Sequence, residues 1–161
     1  MKKLILSFVL VLGSLSLVSA QQNAIGLKFG GTSGNNADIS FQHFLNDANR
    51  LEFNLGMNGF GNDATFFVLS GAYQWVWDLS QLAPGFKWYA GVGAMAGMFN
   101  YKILNENHND FYLWAIGNVG IEYNFEFPLQ LALDWTPALR LTPDAGDFGG
   151  EWIKLAARWR F

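Results

Sequence analysis

The strongest constraint in this sequence is a two-residue rhythm that returns along most of its length. From Arg50 to Asn58, Leu51, Phe53, Leu55 and Met57 alternate with Glu52, Asn54, Gly56 and Asn58. Successive side chains of a strand point to opposite faces, so this stretch predicts a strand with one apolar and one polar face. The same rhythm runs through residues 151–161, where Ile153, Leu155, Ala157, Trp159 and Phe161 are separated by Lys154, Arg158 and Arg160.

Six further segments repeat the pattern. In 24–30, Ile25, Leu27 and Phe29 oppose Gly26, Lys28 and Gly30; in 37–45, Ile39 and Phe41 oppose Asp38, Ser40 and Gln42. Segment 64–77 sets Phe67, Leu69, Tyr73, Trp75 and Trp77 against Ser70, Ala72 and Gln74. Segment 86–99 sets Trp88, Ala90, Val92, Ala94 and Met98 against Tyr89, Gly91, Gly93 and Gly97. In 111–125, Leu113, Val119, Ile121 and Tyr123 oppose Asn118, Gly120, Glu122 and Asn124. In 129–141, Leu129, Leu131, Leu133 and Trp135 oppose Gln130, Ala132, Asp134 and Thr136, with Pro137 placed where a rim would tolerate a missing hydrogen-bond donor. The polar stretch 100–110 reads as the longest loop, and 142–150 as another.

Eight amphipathic strands need a shared partner for their apolar faces. Residues 1–20 have the form of a cleavable secretory signal: Lys2 and Lys3, an apolar run from Leu4 to Leu17, then Val18-Ser19-Ala20. That leaves 21–161 as one domain. Losing Lys2 and Lys3 from the 10 basic residues leaves 8 against 13 acidic, a balance of −5 that argues against a nucleic-acid partner. The chain has no Cys, which excludes a disulfide framework and a lipid-modified cysteine. Charged residues are 14% of the chain, well below the usual quarter of a soluble domain, yet no apolar run after residue 20 suits a spanning helix. A closed barrel is the other structure that satisfies every backbone group within lipid.

Alternation alone leaves open an inverted, lipocalin-like barrel with an apolar lumen. The polar faces, however, are rich in Gly and small residues, which fit the crowded interior of eight strands better than a water-facing surface. Trp75, Trp77, Trp88, Tyr123, Phe125, Trp159 and Phe161 also collect at one end of their strands, as an interfacial aromatic girdle requires. The fold class predicted is therefore all-β: an eight-stranded antiparallel up-and-down transmembrane barrel, with 46–49, 78–85 and 126–128 on the periplasmic side.

These eight segments, the short turns on one side and the terminal Trp159-Arg160-Phe161 resemble the small outer-membrane barrel family typified by the OmpA transmembrane domain and OmpX. The resemblance covers 21–161. It implies a place in the outer membrane of a Gram-negative-type cell, contact with its lipid and lipopolysaccharide, and a monomer. It further implies that Trp159 and Phe161 carry the signal read by the barrel assembly machinery. The chain departs from OmpA proper in ending at Phe161, so no peptidoglycan-gripping domain is expected.

The lumen is the first candidate site. Lys28, Glu52, Glu122, Asp134, Lys154 and Arg158 are predicted to face it and to pair, since unpaired buried charge is very costly. A filled, charge-paired interior implies a structural or surface-interaction role; a gated narrow channel or a lateral transporter of a small or apolar molecule is the alternative. A lipid A-modifying enzyme would need Ser and His within reach of each other. Ser40 and Ser70 are expected inside, His43 outside if it keeps the parity of Phe41, and His108 in a different loop from Ser33, so no catalytic set is expected. Glu106, His108 and Asp110 form a weak divalent-cation candidate whose spacing fits no defined metal loop, and no cofactor is expected.

Overall fold

A computed structural model describes residues 22–31, 37–60, 64–103, 106–143 and 145–161, the side chains of 57–60, 64–65, 101–103, 106–108 and 150–152 excepted. The expected signal, 1–20, lies outside the described residues. Eight strands follow in order: β1 Asn23–Gly30, β2 Ala37–Asn46, β3 Asn49–Phe60, β4 Ala64–Asp78, β5 Phe86–Ile103, β6 Glu106–Asn124, β7 Leu129–Thr142 and β8 Phe148–Arg160. Each pairs antiparallel with its neighbour, and β8 returns to β1 to close the barrel. Closure matters because an open edge within lipid would leave a row of unpaired N–H and C=O groups. At the seam, Asn23 and Phe161 exchange backbone hydrogen bonds of 3.0 and 2.9 Å.

Burial inverts the order of a soluble protein. Arg50, Gln42, Gln74 and Gln130 are 0% exposed, whereas Leu69, Val92 and Ile153 are each 58% exposed. The apolar faces therefore point outward and the polar faces inward, on every strand. On β4, Phe67 and Trp77 are both exposed and stand ten residue steps apart (77 − 67). At ~3.3 Å per residue and ~40° tilt, that is about 25 Å of height, the height usual for the apolar band on a membrane-spanning barrel.

Two departures from the sequence reading concern how far pairing extends. Residues 100–110 are not one loop. The β5–β6 ladder continues through Tyr101↔His108 and Lys102↔Asn107 to Ile103↔Glu106, so only 104–105 lie between the strands. Asn, Asp and His make the segment polar, but a hairpin already in register keeps its backbone bonds in water whatever its side chains. β8 likewise begins at Phe148, within the segment expected as loop. The result is an uneven rim: β5 and β6 have 18 and 19 residues, β1 and β2 only 8 and 10.

Pro137 is the third departure. It is not near a rim but well inside β7, five positions before its end at Thr142 (142 − 137). The β6–β7 ladder holds one register past it, from Ile116↔Ala138 to Val119↔Trp135. On the other side, the register shifts between Thr136↔Trp152 and Ala138↔Gly149, which places two residues of β8 opposite Pro137. Such a bulge absorbs the donor that proline lacks.

Candidate functional site

The lumen is organised around Glu52, in the middle of β3. Its carboxylate accepts from Lys28 Nζ at 2.8 Å, Gln42 Nε2 at 2.7 Å, Asn54 Nδ2 and Gln74 Nε2 at 3.1 Å, and an Arg158 guanidinium nitrogen at 3.2 Å. Lys28 also meets Asp134 Oδ2 at 2.8 Å, and the Tyr89 hydroxyl donates to the same oxygen at 3.0 Å. Arg158 is held further by Ser40 Oγ at 2.9 Å and Gln130 Oε1 at 3.2 Å. Arg50 forms a second centre. It pairs with Glu122 at 2.6 Å, donates to Gln74 Oε1 at 2.6 Å, and lies 4.5 Å from the Tyr89 ring centroid. Stacking on a ring is a geometry that suits guanidinium better than ammonium.

All six charges expected in the lumen are found there, but the network holds two more. Asp38 pairs with Lys154, and Arg50 with Glu122. Among the described residues the interior thus balances Lys28, Arg50, Lys154 and Arg158 against Asp38, Glu52, Glu122 and Asp134. The missed pair was legible: Asp38 keeps the parity of Ser40, and Arg50 that of Glu52. Lys154 pairs with Asp38 although Asp134 is its register neighbour on β7. Its register neighbour on β1 is Gly30, so its side chain crosses that strand to β2.

The same device recurs. Arg158 faces Gly26 across the β1–β8 ladder and reaches Ser40 on β2 beyond it. Tyr89 faces Gly120 on β6 and reaches Asp134 on β7. Gln74 faces Gly91 on β5 and reaches Asn118 on β6. Each glycine leaves an intervening strand without a side chain on the lumen side, so a long side chain passes over it. A Cβ on Gly120 would collide with the Tyr89 ring, and one on Gly26 with the Ala157 carbonyl.

Above the ionic layer, the β4–β7 side changes character. Ala72, Met95, Ile116 and Ala138 form a buried apolar cluster against which Val68 and Trp114 pack. Phe66 makes edge contacts with Phe99 and Trp114 at 6.1 and 6.2 Å between centroids, and Tyr112 stacks on Trp114 at 5.6 Å. These rings share the inward parity of Met95 and Ile116 and are half-buried. The sequence reading placed Tyr89 on the inward face but none of these four rings.

The predicted girdle residues lie at the end where 47–48, 79–85 and 125–128 connect the strands. Trp77 stacks on Trp88 at 4.2 Å, and Tyr123 meets Phe125 edge-on at 4.6 Å, with Phe127 5.0 Å further along. Trp75 contacts Tyr73 at 5.1 Å. Trp159 is exposed beside them, and Phe161 is half-buried at the seam.

The serines and His43 stand on opposite sides of the wall. Ser40 receives Arg158, and Ser70 receives Asn54 Nδ2 at 3.2 Å, both inside. His43 keeps the outward parity of Ile39 and Phe41, and its Nδ1 lies 2.9 Å from Asn23 Oδ1. Glu106, His108 and Asp110 alternate along the start of β6, but the side chains of the first two lie outside the described residues.

No family model matches the chain, and no curated protein matches it. Solved structures do. The N-terminal β-barrel domain of Pseudomonas aeruginosa OprF superposes with a TM-score of 0.70 at 16% identity, covering 89% of this chain and all of that domain (100%). The fold is that of an eight-stranded outer-membrane barrel. Neisserial surface protein A (NspA) gives a TM-score of 0.59 at 12% identity, covering 86% of this chain and 93% of its own. Ail, the attachment invasion locus protein of Yersinia pestis, gives 0.57 at 13%, with the same coverage, 86% and 93%. At these identities the likeness concerns backbone architecture and not the residues of the lumen.

Proposed function

We propose that this chain is an integral protein of the outer membrane of a Gram-negative-type cell, with a structural or surface-interaction role and a lumen closed to ion flow. The observation that carries the reading is the Glu52 network. Its cations and carboxylates are almost wholly buried, bonded to one another and packed among Gln42, Gln74, Gln130 and Tyr89. Opening an aqueous path requires breaking several buried pairs at once, which is costly for each. The outward belt of Leu, Val, Ile and Phe side chains supports a lipid surrounding, because water-facing strands would not hold so many of them exposed.

In this reading residues 1–20 are a cleaved export signal, and outer-membrane lipid and lipopolysaccharide contact the belt and rim. The aromatic cluster at Trp75, Trp77, Trp88, Tyr123, Phe125, Trp159 and Phe161 sits at the periplasmic headgroup boundary. Trp159 and Phe161 are the positions engaged by the barrel assembly machinery, and the barrel acts as a monomer. We read the protein as a non-enzyme, since the wall separates His43 from both lumenal serines. The test is conductance of the purified, folded protein in planar bilayers. Small or absent currents are expected; stable, large single-channel steps would return the reading to a channel.

A further inference from the structure

The outward apolar belt differs in height around the barrel. On β4, β5 and β7 its exposed side chains run from Phe67 to Trp77, from Trp88 to Met98 and from Leu131 to Leu141. Each run covers ten residue steps (98 − 88 on β5), about 25 Å of height at ~3.3 Å per residue and ~40° tilt. Among the described residues, the run on β1 reaches only from Ile25 to Phe29, and that on β2 from Leu45 to Ile39. Those are four and six steps (29 − 25, 45 − 39), ~10 and ~15 Å by the same measure. Both runs start at the girdle, where Ile25 is the register partner of Trp159 and Leu45 precedes the connection 47–48. The β1–β2 wall is therefore low at its top and level at its foot.

The backbone marks the top of this wall. Gly30 and Gly31 have φ of 129° and 106°, conformations that do not continue a strand. Gly30 stands five steps above Ile25 (30 − 25), ~13 Å up, which is near the midplane of a ~30 Å hydrocarbon core. The chain between Gly31 and Ala37 is Thr-Ser-Gly-Asn-Asn, without one apolar side chain. A polar connection at that depth is very costly in lipid, because hydrocarbon supplies no partner for its N–H, C=O and amide groups. The inner face shows water at the same level. Lys154 is the register partner of Gly30, and the side chains of its ion pair with Asp38 are 15% and 9% exposed. Deeper in the lumen, those of Arg158 and Glu52 are 0% and 1% exposed.

We propose that the β1–β2 wall is a membrane-thinning face. Along it the outer-leaflet headgroups, with their water, descend to the level of Gly30 and the Lys154–Asp38 pair, while the bilayer stays close to its own thickness against β4–β7. A bilayer deforms in this way when an apolar surface is shorter than its core. Tilting the barrel to raise the low lip would draw Trp159 and Phe161, at the foot of the same wall, into hydrocarbon; thinning leaves the girdle at the headgroups. The inference rests on the membrane placement proposed above.

The chain lacks cysteine, so a nitroxide can be attached at single positions without background. Phe29 and Val92 are matched sites: both are exposed, and each stands four residues above the girdle, at Ile25 (29 − 25) or Trp88 (92 − 88). Phe29→Cys, Val92→Cys and Leu45→Cys barrels, checked for folding by heat-modifiable mobility, are spin-labelled in dioleoyl phosphatidylcholine vesicles. Collision rates are read with oxygen, which concentrates in hydrocarbon, and with a nickel chelate, which stays in water. The thinned face predicts a chelate rate at Phe29→Cys at least about fivefold that at Val92→Cys, and a smaller ratio in the thinner core of dilauroyl vesicles. Leu45→Cys, at the foot of the same wall, is expected to stay accessible to the chelate. Equal chelate rates at Phe29→Cys and Val92→Cys would overturn the thinned face. So would a Leu45→Cys label rich in oxygen and poor in chelate, the signature of a tilted barrel. Failure of the unlabelled parent to float with the vesicles is a separate outcome; it would overturn the membrane placement, and the thinned face with it.

Discussion

Glu52 shows how one side chain sets the state of the whole interior. Two cations, Lys28 and Arg158, bond to its carboxylate, and both are as buried as it is. Replacing it with Gln keeps the shape but removes the ion-pair partner of Arg158 and leaves Lys28 to Asp134 alone. We expect Glu52→Gln to lower stability by about 3–5 kcal/mol, read as the shift in urea unfolding of the barrel in vesicles. Asp147 is the contrast, since its 2.6 Å pair with Arg140 stands at the rim with the carboxylate 73% exposed. Asp147→Ala is expected to cost no more than ~1 kcal/mol in the same assay. Most of the lumen was legible residue by residue, because parity assigns each side chain to a face. The partners were not. Lys154 found Asp38 across Gly30, and no one-dimensional pattern says which strand a four-carbon side chain will cross.

At the scale of strands, the seam between β1 and β8 decides whether there is a barrel at all. It joins the two ends of the chain, so its pairing is the most non-local in the fold. Gly26 holds it close: a Cβ there would strike the Ala157 carbonyl and the Arg158 backbone. Gly26→Val is expected to prevent closure, seen as loss of the compact, heat-modifiable band on unboiled gels. Deleting Phe161 removes its two backbone bonds to Asn23 as well as the aromatic end of β8. That deletion is expected to reduce assembled protein at the cell surface far more than substitutions in 145–147; normal levels would remove Phe161 from the assembly signal. The hairpin of β5 and β6 teaches the opposite lesson about strands. Its polar upper part was read as loop from composition, yet backbone pairing alone carries it to Ile103 and Glu106.

For the whole molecule, the controlling quantity is the match between the apolar belt and a bilayer. The belt from Phe67 to Trp77 spans about 25 Å of height, shorter than the ~30 Å hydrocarbon core of an average membrane. Refolding yield is therefore expected to peak in short-chain lipid vesicles and to fall as chains lengthen; a yield that rises with thickness would contradict the belt's assigned limits. The uneven rim and the apolar cluster on the β4–β7 side also belong to this scale. They arise only when the strands are placed side by side.

The sequence by itself determined the strand count, the facing of each strand and the identity of most lumenal charges. All three follow from a period of two, which is local and survives without knowledge of neighbours. Tertiary structure alone decided the register, and with it everything that depends on which residues stand opposite each other. That includes the glycine crossings that let Arg158 and Tyr89 reach past a strand, the length of the β5–β6 hairpin and the bulge opposite Pro137. The physical reason is that a strand's faces are fixed by its own backbone, whereas pairing is a property of two backbones. Where a missing donor or side chain matters depends on what lies opposite it.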